Sequence, residues 1–237
     1  MGWLARRTRT WIRVLALLLV SFAVILGCAI ATGELLELTE RAGGSTPVDS
    51  SLTSWTLAHR TSALTAMARV LSTIGSQAFL IPVVAVVVAA LLITRRFALA
   101  GLLLTAWAGA ILLYNLTKHF VQRPRPPADI WLTNAGHSTS FPSGHATQSL
   151  ATFLALALVV APWLSHARWP ATALALVLAA GVGWSRVYLG VHWGTDVGAG
   201  WLIASAWVAA AAWLAARAHS IFTSAGSPSR SSGRHSA

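Results

Sequence analysis

Six apolar runs divide the chain, at residues 14–31, 78–94, 97–117, 146–164, 169–191 and 194–216. Each is close to the roughly 20 residues a helix needs to cross the hydrocarbon core of a bilayer. Only helices and closed barrels satisfy their backbone hydrogen bonds in lipid, and runs of this length are helical. The sequence therefore predicts an all-α, integral membrane bundle of six transmembrane helices. Composition agrees. Of 237 residues, 56 % are apolar and 10 % charged, with mean hydropathy +0.66, whereas a soluble domain carries roughly 25 % charged residues. The first run is too long for the core of a signal peptide. Arg6-Arg7 and Leu26-Gly27-Cys28 only faintly suggest twin-arginine export or a lipidation site. The net charge of +11 could indicate nucleic acid as a partner. Its distribution argues against that, because the arginines flank apolar segments instead of forming one patch. The lone cysteine, Cys28, permits no internal disulfide and makes a thiolate metal site unlikely.

Between the first two runs the chain is more polar. Gly43-Gly44-Ser45-Thr46-Pro47 predicts a loop. Beyond it, Leu64, Met67, Ala68, Leu71 and Ile74 recur at helical spacing. This segment reads as an amphipathic helix on the membrane surface, capped by Asp49, Ser50 or Ser51, with Trp55 in the interface and His59 and Arg60 toward the headgroups. Pro82 falls in the first turn of the second span, where proline costs little. Trp11, Trp163, Trp169, Trp193 and Trp213 lie near span ends, as an aromatic belt requires. Gly181, Gly183, Gly198 and Gly200 predict close packing of the last two spans. Residues 1–219 form one domain in this reading, and the serine-, glycine- and arginine-rich stretch 220–237 a disordered basic tail. No internal repeat is evident.

Charge assigns the sides. With the N-terminus inside, the inner segments hold Arg6, Arg7, Arg9, Arg13, Arg95, Arg96, Arg168, Arg217, Arg230 and Arg234, and no acid. The outer segments hold seven positive residues against all six acids. That asymmetry follows the positive-inside rule. It puts both termini in the cytoplasm and gathers three polar clusters on the outer side.

The first cluster is Lys118 followed by Arg125 within Arg123-Pro124-Arg125-Pro126. The prolines stiffen the chain and direct the guanidinium. Lys118 by itself reads as a snorkelling lysine, and Arg123 as a headgroup contact. The second cluster is Phe141-Pro142-Ser143-Gly144-His145, at the predicted start of a helix. A helix start offers unpaired N–H groups and a dipole that favours anions. The third runs from Ser185-Arg186 to His192 and Asp196. His192 and Asp196 are four apart and share a helix face. A carboxylate that orients an imidazole is half of a nucleophilic triad. The same pair could ligate a metal, but no third neutral ligand stands at suitable spacing. His119 and His137 have no partner at motif spacing and read as structural. Lys118, Arg125 and Arg186 at one bundle mouth repel one another unless an anion joins them, and arginine's planar fork suits phosphate oxygens.

Lys118-x6-Arg125-Pro126, Pro142-Ser143-Gly144-His145 and Ser185-Arg186-x5-His192-x3-Asp196 together resemble the three-part signature of the type 2 phosphatidic acid phosphatases. Lipid phosphate phosphatases and vanadium haloperoxidases share that signature. The resemblance implies that His192 attacks phosphorus to form a phosphohistidine, with Asp196 holding it. His145 then protonates the leaving group and activates water. Lys118, Arg125, Arg186 and the amides near Ser143 and Gly144 would hold the phosphoryl oxygens. It implies no cofactor and no metal, and a membrane lipid phosphate or diphosphate as substrate. A soluble haloperoxidase does not fit six spans. Transfer of a headgroup or phosphate to a lipid acceptor stays open, as does a non-enzymatic anion-binding or transport protein, for which His192 and Asp196 would be dispensable. The lipid and the oligomeric state are not legible.

Overall fold

The structure is a computed structural model that describes residues 2–41, 46–136, 139–163 and 168–224. It is all-α among these residues, with eight α-helices: α1 (Gly2–Arg41), α2 (Pro47–Ala58), α3 (Ser62–Ile74), α4 (Gln77–Ile93), α5 (Phe97–Phe120), α6 (Gly144–Val160), α7 (Arg168–Tyr188) and α8 (Gly194–Ser224). Five are long and apolar enough to cross a membrane; α3 and α4, bent by 44°, make a sixth crossing when taken as one span. The protein is thus a multi-span membrane protein, and its many exposed leucines, valines and isoleucines face where lipid would be.

Helix α6 is the axis. It packs against α5, α7 and α8. Every residue from Ala146 to Phe153 is buried, so this helix has no lipid face in its N-terminal half. Four polar residues lie in that stretch, and local bonds satisfy three. The hydroxyls of Thr147, Ser149 and Thr152 donate back to the carbonyls of Ser143, Ala146 and Gln148. The fourth, Gln148, donates to the Gly75 carbonyl at 2.8 Å and so ties the α3–α4 bend to the axis.

Helix α1 has 40 residues. At 1.5 Å per residue it is about 60 Å long, twice the hydrocarbon thickness. It continues past the expected end at Ala31 to Arg41. Its C-terminal end reaches the loops, where Glu37 is buried and accepts from the Gln122 amide. Gly33 lies under Phe141 and Val121, and a Cβ there would stand 2.7 Å from both.

The amphipathic segment is two helices, not one. Thr46, and none of the three expected residues, caps α2, accepting from the Asp49 amide. The break falls at His59, Arg60 and Thr61, and Thr61 caps α3. Arg60 does not reach for headgroups. Its guanidinium turns inward to the carbonyls of Ile130 at 2.6 Å and Tyr188 at 3.3 Å, while His59 stays exposed, stacked on Trp55. The chain there is pinned to the segments that carry Ile130 and Tyr188, which wins over attraction to lipid.

Of the four glycines, Gly183 receives Trp201 and Val197 of α8 as expected. Gly181 instead receives Leu71 of α3, Gly200 receives Thr147 of α6, and Gly198 faces open space. Trp163 and Trp169 are exposed beside helix ends; Trp11 and Trp213 are also exposed, but lie well inside α1 and α8, which outrun their apolar runs. Trp193 is half-buried and turned inward, its indole donating to the Pro124 carbonyl. Helix α8 continues to Ser224, and residues 225–237 of the expected tail lie outside the described residues, as does His137.

Candidate active site

Four helix ends meet at one face of the bundle: the C-termini of α5 and α7 and the N-termini of α6 and α8. Lys118 is in the last turn of α5, Ser143 caps α6, His145 is in the first turn of α6, Arg186 is in the last turn of α7, and Asp196 is in the first turn of α8. Arg125 and His192 come from the connecting loops. All three sequence clusters are therefore brought together.

The loops are held by backbone bonds. Ser140 donates to Arg123, Leu132 donates to Leu189, and Ser143 donates to Asp196, at 2.9, 2.9 and 3.1 Å. Gly190 has φ +76, and a Cβ there would meet the Ile130 carbonyl oxygen at 2.6 Å. Only glycine fits that crossing without strain. The turn it makes presents His192.

His192 is buried between an acid and a base. Its Nδ1 lies 3.4 Å from Asp196 Oδ2, and its Nε2 lies 3.2 Å from Arg125 Nη1. A guanidinium can only donate. Nε2 must then be the accepting nitrogen and Nδ1 the protonated one. The lone pair of Nε2 thus faces the cationic side of the site. Burial, and after it the charges of Lys118, Arg125 and Arg186, push the His192 pKa well below the ordinary histidine value. The imidazole is neutral at neutral pH.

The cations are anchored by neutral groups. Lys118 Nζ donates to the carbonyls of Thr139 at 2.5 Å and Ser140 at 3.2 Å. Arg125 Nη1 donates to the Val191 carbonyl at 2.5 Å, and Arg186 Nη1 to Ser72 Oγ at 2.5 Å. Lys118 and Arg125 press together around His192, and Arg186 adds to their field. His145 lies within electrostatic reach of all three cations and of His192. Two buried donors at this face, Ser143 Oγ and Arg186 Nε, have no protein partner. Buried donors left open are what an anion site displays before its ligand arrives. The Ser143 amide is not among them, contrary to expectation, because the Asp196 carbonyl occupies it. The first-turn amides of α6 beyond it have no carbonyl behind them in the helix.

Sequence reasoning missed three residues. Arg123, expected at the headgroups, is fully buried. Its Nη1 binds Asp196 Oδ1 at 2.6 Å and its Nη2 binds Asp49 Oδ2 at 2.8 Å. Asp49, expected as a cap on the membrane surface, is likewise fully buried. Two buried carboxylates, one on each side, hold the Arg123 guanidinium inside the protein and away from the membrane surface. The only available signal was that Arg123 is rigidly linked to Arg125 through Pro124. Ser72, the partner of Arg186, was also unremarked. His119 is exposed and packs edge-on to Phe120, apart from the site.

The PAP2 superfamily profile matches residues 99–220. Phosphatidylglycerophosphatase B of Bacillus subtilis (strain 168) is 33 % identical over 127 residues, covering 52 % of this chain and 62 % of that protein. Undecaprenyl-diphosphatase of Sulfolobus acidocaldarius is 35 % identical over 141 residues, covering 57 % and 63 %. The chain thus matches less than two thirds of either relative's length. The crystal structure of a transmembrane PAP2 type phosphatidylglycerolphosphate phosphatase from Bacillus subtilis superposes with TM-score 0.66 at 25 % identity, covering 89 % of this chain and 98 % of that one. Aquifex aeolicus LpxE superposes with TM-score 0.55 at 25 % identity, covering 70 % and 93 %. The profile match spans half the chain and every one of the three clusters: the protein belongs to the PAP2 superfamily.

Proposed function

We propose that the protein is an integral membrane phosphatase that hydrolyses a lipid phosphate or diphosphate monoester through a phosphohistidine. One observation carries the reading. His192 offers an unprotonated Nε2 toward three cations while Asp196 holds its Nδ1. A stabilising role alone gives no reason to aim a lone pair into a cationic pocket. The relatives named phosphatidylglycerophosphatase and undecaprenyl-diphosphatase support the lipid class and leave both ester types in play.

The chemistry follows from the groups. Lys118, Arg125, Arg186, Ser143 Oγ and the first amides of α6, at Gly144 and beyond, receive the phosphoryl oxygens. His192 Nε2 attacks phosphorus, and the bond to the leaving oxygen breaks. His145 gives that oxygen a proton; with the anion bound, its neighbours' positive charge is offset. The imidazole of His192 becomes cationic, and Asp196 stabilises that charge. Water then attacks the phosphohistidine, losing a proton to His145, and inorganic phosphate leaves. Positioning and charge stabilisation supply most of such catalysis.

Charge asymmetry places both termini in the cytoplasm and this site on the outer side, so the substrate would be met from the outer leaflet. Purified protein should release phosphate from one or more members of a lipid phosphate and diphosphate panel in the presence of EDTA, and vanadate should inhibit. Binding of those lipids without phosphate release would leave an anion-binding protein. Activity lost in EDTA and restored by magnesium would contradict a site built on cations and amides.

A further inference from the structure

The least expected feature at this face is a line of three fully buried charges, Asp49–Arg123–Asp196. Desolvating an ion costs several kcal/mol, and pairing alone rarely recovers it. Such charges persist where their polar atoms are all engaged, and here they are. Asp49 Oδ1 accepts from the Thr195 amide at 2.9 Å. Asp49 Oδ2 accepts from Arg123, from Thr195 Oγ1 at 2.7 Å and from Thr46 Oγ1 at 2.8 Å. Asp196 Oδ1 accepts from Arg123. Asp196 Oδ2 accepts from Ser140 Oγ, from the Trp193 amide at 2.9 Å and from His192. Arg123 also donates to Thr195 Oγ1 at 2.7 Å and lies 5.8 Å from the Trp193 ring centre. Asp49, from α2, thereby caps the first turn of α8 from outside that helix.

The consequence for Asp196 is geometric. One oxygen is fixed by Arg123, which leaves the other facing His192. Without Arg123, two carboxylates joined only through Thr195 would share a dry site with no countercharge between them. A pair kept for stability alone is often replaceable by apolar packing at no loss. This one sits directly behind the acid that orients the histidine.

We propose that Arg123 and Asp49 are positioning residues for the His192–Asp196 pair: Arg123 clamps Asp196 in the rotamer that meets His192, and Asp49 fixes Arg123 and the start of α8. The proposal rests on the phosphatase reading. Neither residue touches substrate. Their removal should lower kcat and leave KM nearly unchanged.

Charge gives a signature that a merely structural role lacks. The charged and titratable groups around His192 and Asp196 are Arg123 and Arg125 from the loop, Lys118 from α5, Arg186 from α7 and His145 from α6, with Asp49 of α2 behind Arg123. Arg123→Gln removes a positive charge, which raises the pKa of His192. The acidic limb of kcat/KM should move up by about one pH unit. Asp49→Asn removes a negative charge, lowers the His192 pKa, and should move the limb down. Arg123→Lys should lie between Arg123→Gln and the wild type.

The test is a pH series of phosphate release by the wild type and the three variants. It is paired with 15N spectra of His192, assigned by its loss in His192→Asn. Opposite displacement of the limb and of the His192 titration in Arg123→Gln and Asp49→Asn is the expected result. If Arg123→Gln does not fold, Asp49→Asn and Arg123→Lys decide. Folded variants whose limb and His192 titration stay at the wild-type values would overturn the proposal. A wild type that releases no phosphate while His192 still titrates in the expected order would sink the phosphatase reading and leave the clamp standing.

Discussion

At the residue scale, the site is a problem of keeping one histidine neutral and aimed. Burial and three cations do the first; Arg125 and Asp196 do the second. The sign for activity follows. His192 must be neutral to attack, and its pKa is held down. On the phosphohistidine reading, the acidic limb of kcat/KM for the free enzyme should therefore lie below pH 6.5, while the basic limb belongs to His145, which must carry a proton to give. Lys118→Met removes one of the depressing charges, so the acidic limb should move to higher pH in a kcat/KM profile. A limb at its wild-type position in that variant would show that Lys118 does not act on His192. The motif residues were legible because their chemistry is local and their spacing fixed. Arg123 and Asp49 were not, because their partners lie 73 and 146 residues away along the chain. An arginine beside a proline gives no sign of whether it points to water or to a buried acid.

At the element scale, apolar run length located the helices well, since it reflects the bilayer's thickness and little else. Their ends were less legible. Helix α1 outruns its apolar core at Ala31 because Glu37 and Gly33 find partners in the loops around Val121 and Phe141. The amphipathic segment breaks at Arg60 because two carbonyls from distant loops capture that side chain. Close packing away from the glycines singled out in the sequence was also hidden. Gly109 on α5 accepts the Trp207 indole of α8, and a Cβ there would lie 2.3 Å from the ring. That indole also donates to the Thr105 carbonyl at 2.9 Å, so it cannot shift freely. Gly109→Ala should destabilise the protein by about 1–3 kcal/mol, as overpacking does. The measurement is thermal unfolding in detergent; an unchanged midpoint would mean that α5 and α8 separate there at no cost.

At the scale of the whole molecule, the fold gathers four helix ends on one face, and the charge asymmetry of the segments predicts that this face meets the outer side of the membrane. Arg95 and Arg96 join α4 to α5 at the other end of the bundle. In a Cys28→Ser background, Asn134→Cys in the loop before α6 should react with a membrane-impermeant maleimide in intact cells. Arg96→Cys should react only once the membrane is opened. The reverse pattern would place the chemistry on the cytoplasmic face.

The central claim is covalent catalysis by His192. The protein should be mixed with a lipid substrate carrying 32P in its terminal phosphate, quenched within milliseconds in alkali, and digested. The account predicts an acid-labile, alkali-stable phosphohistidine at His192 that forms before free phosphate appears and is absent, with turnover, from a folded His192→Ala variant. Steady phosphate release by His192→Ala, or turnover by the wild type with no phosphohistidine at any quench time, would contradict it.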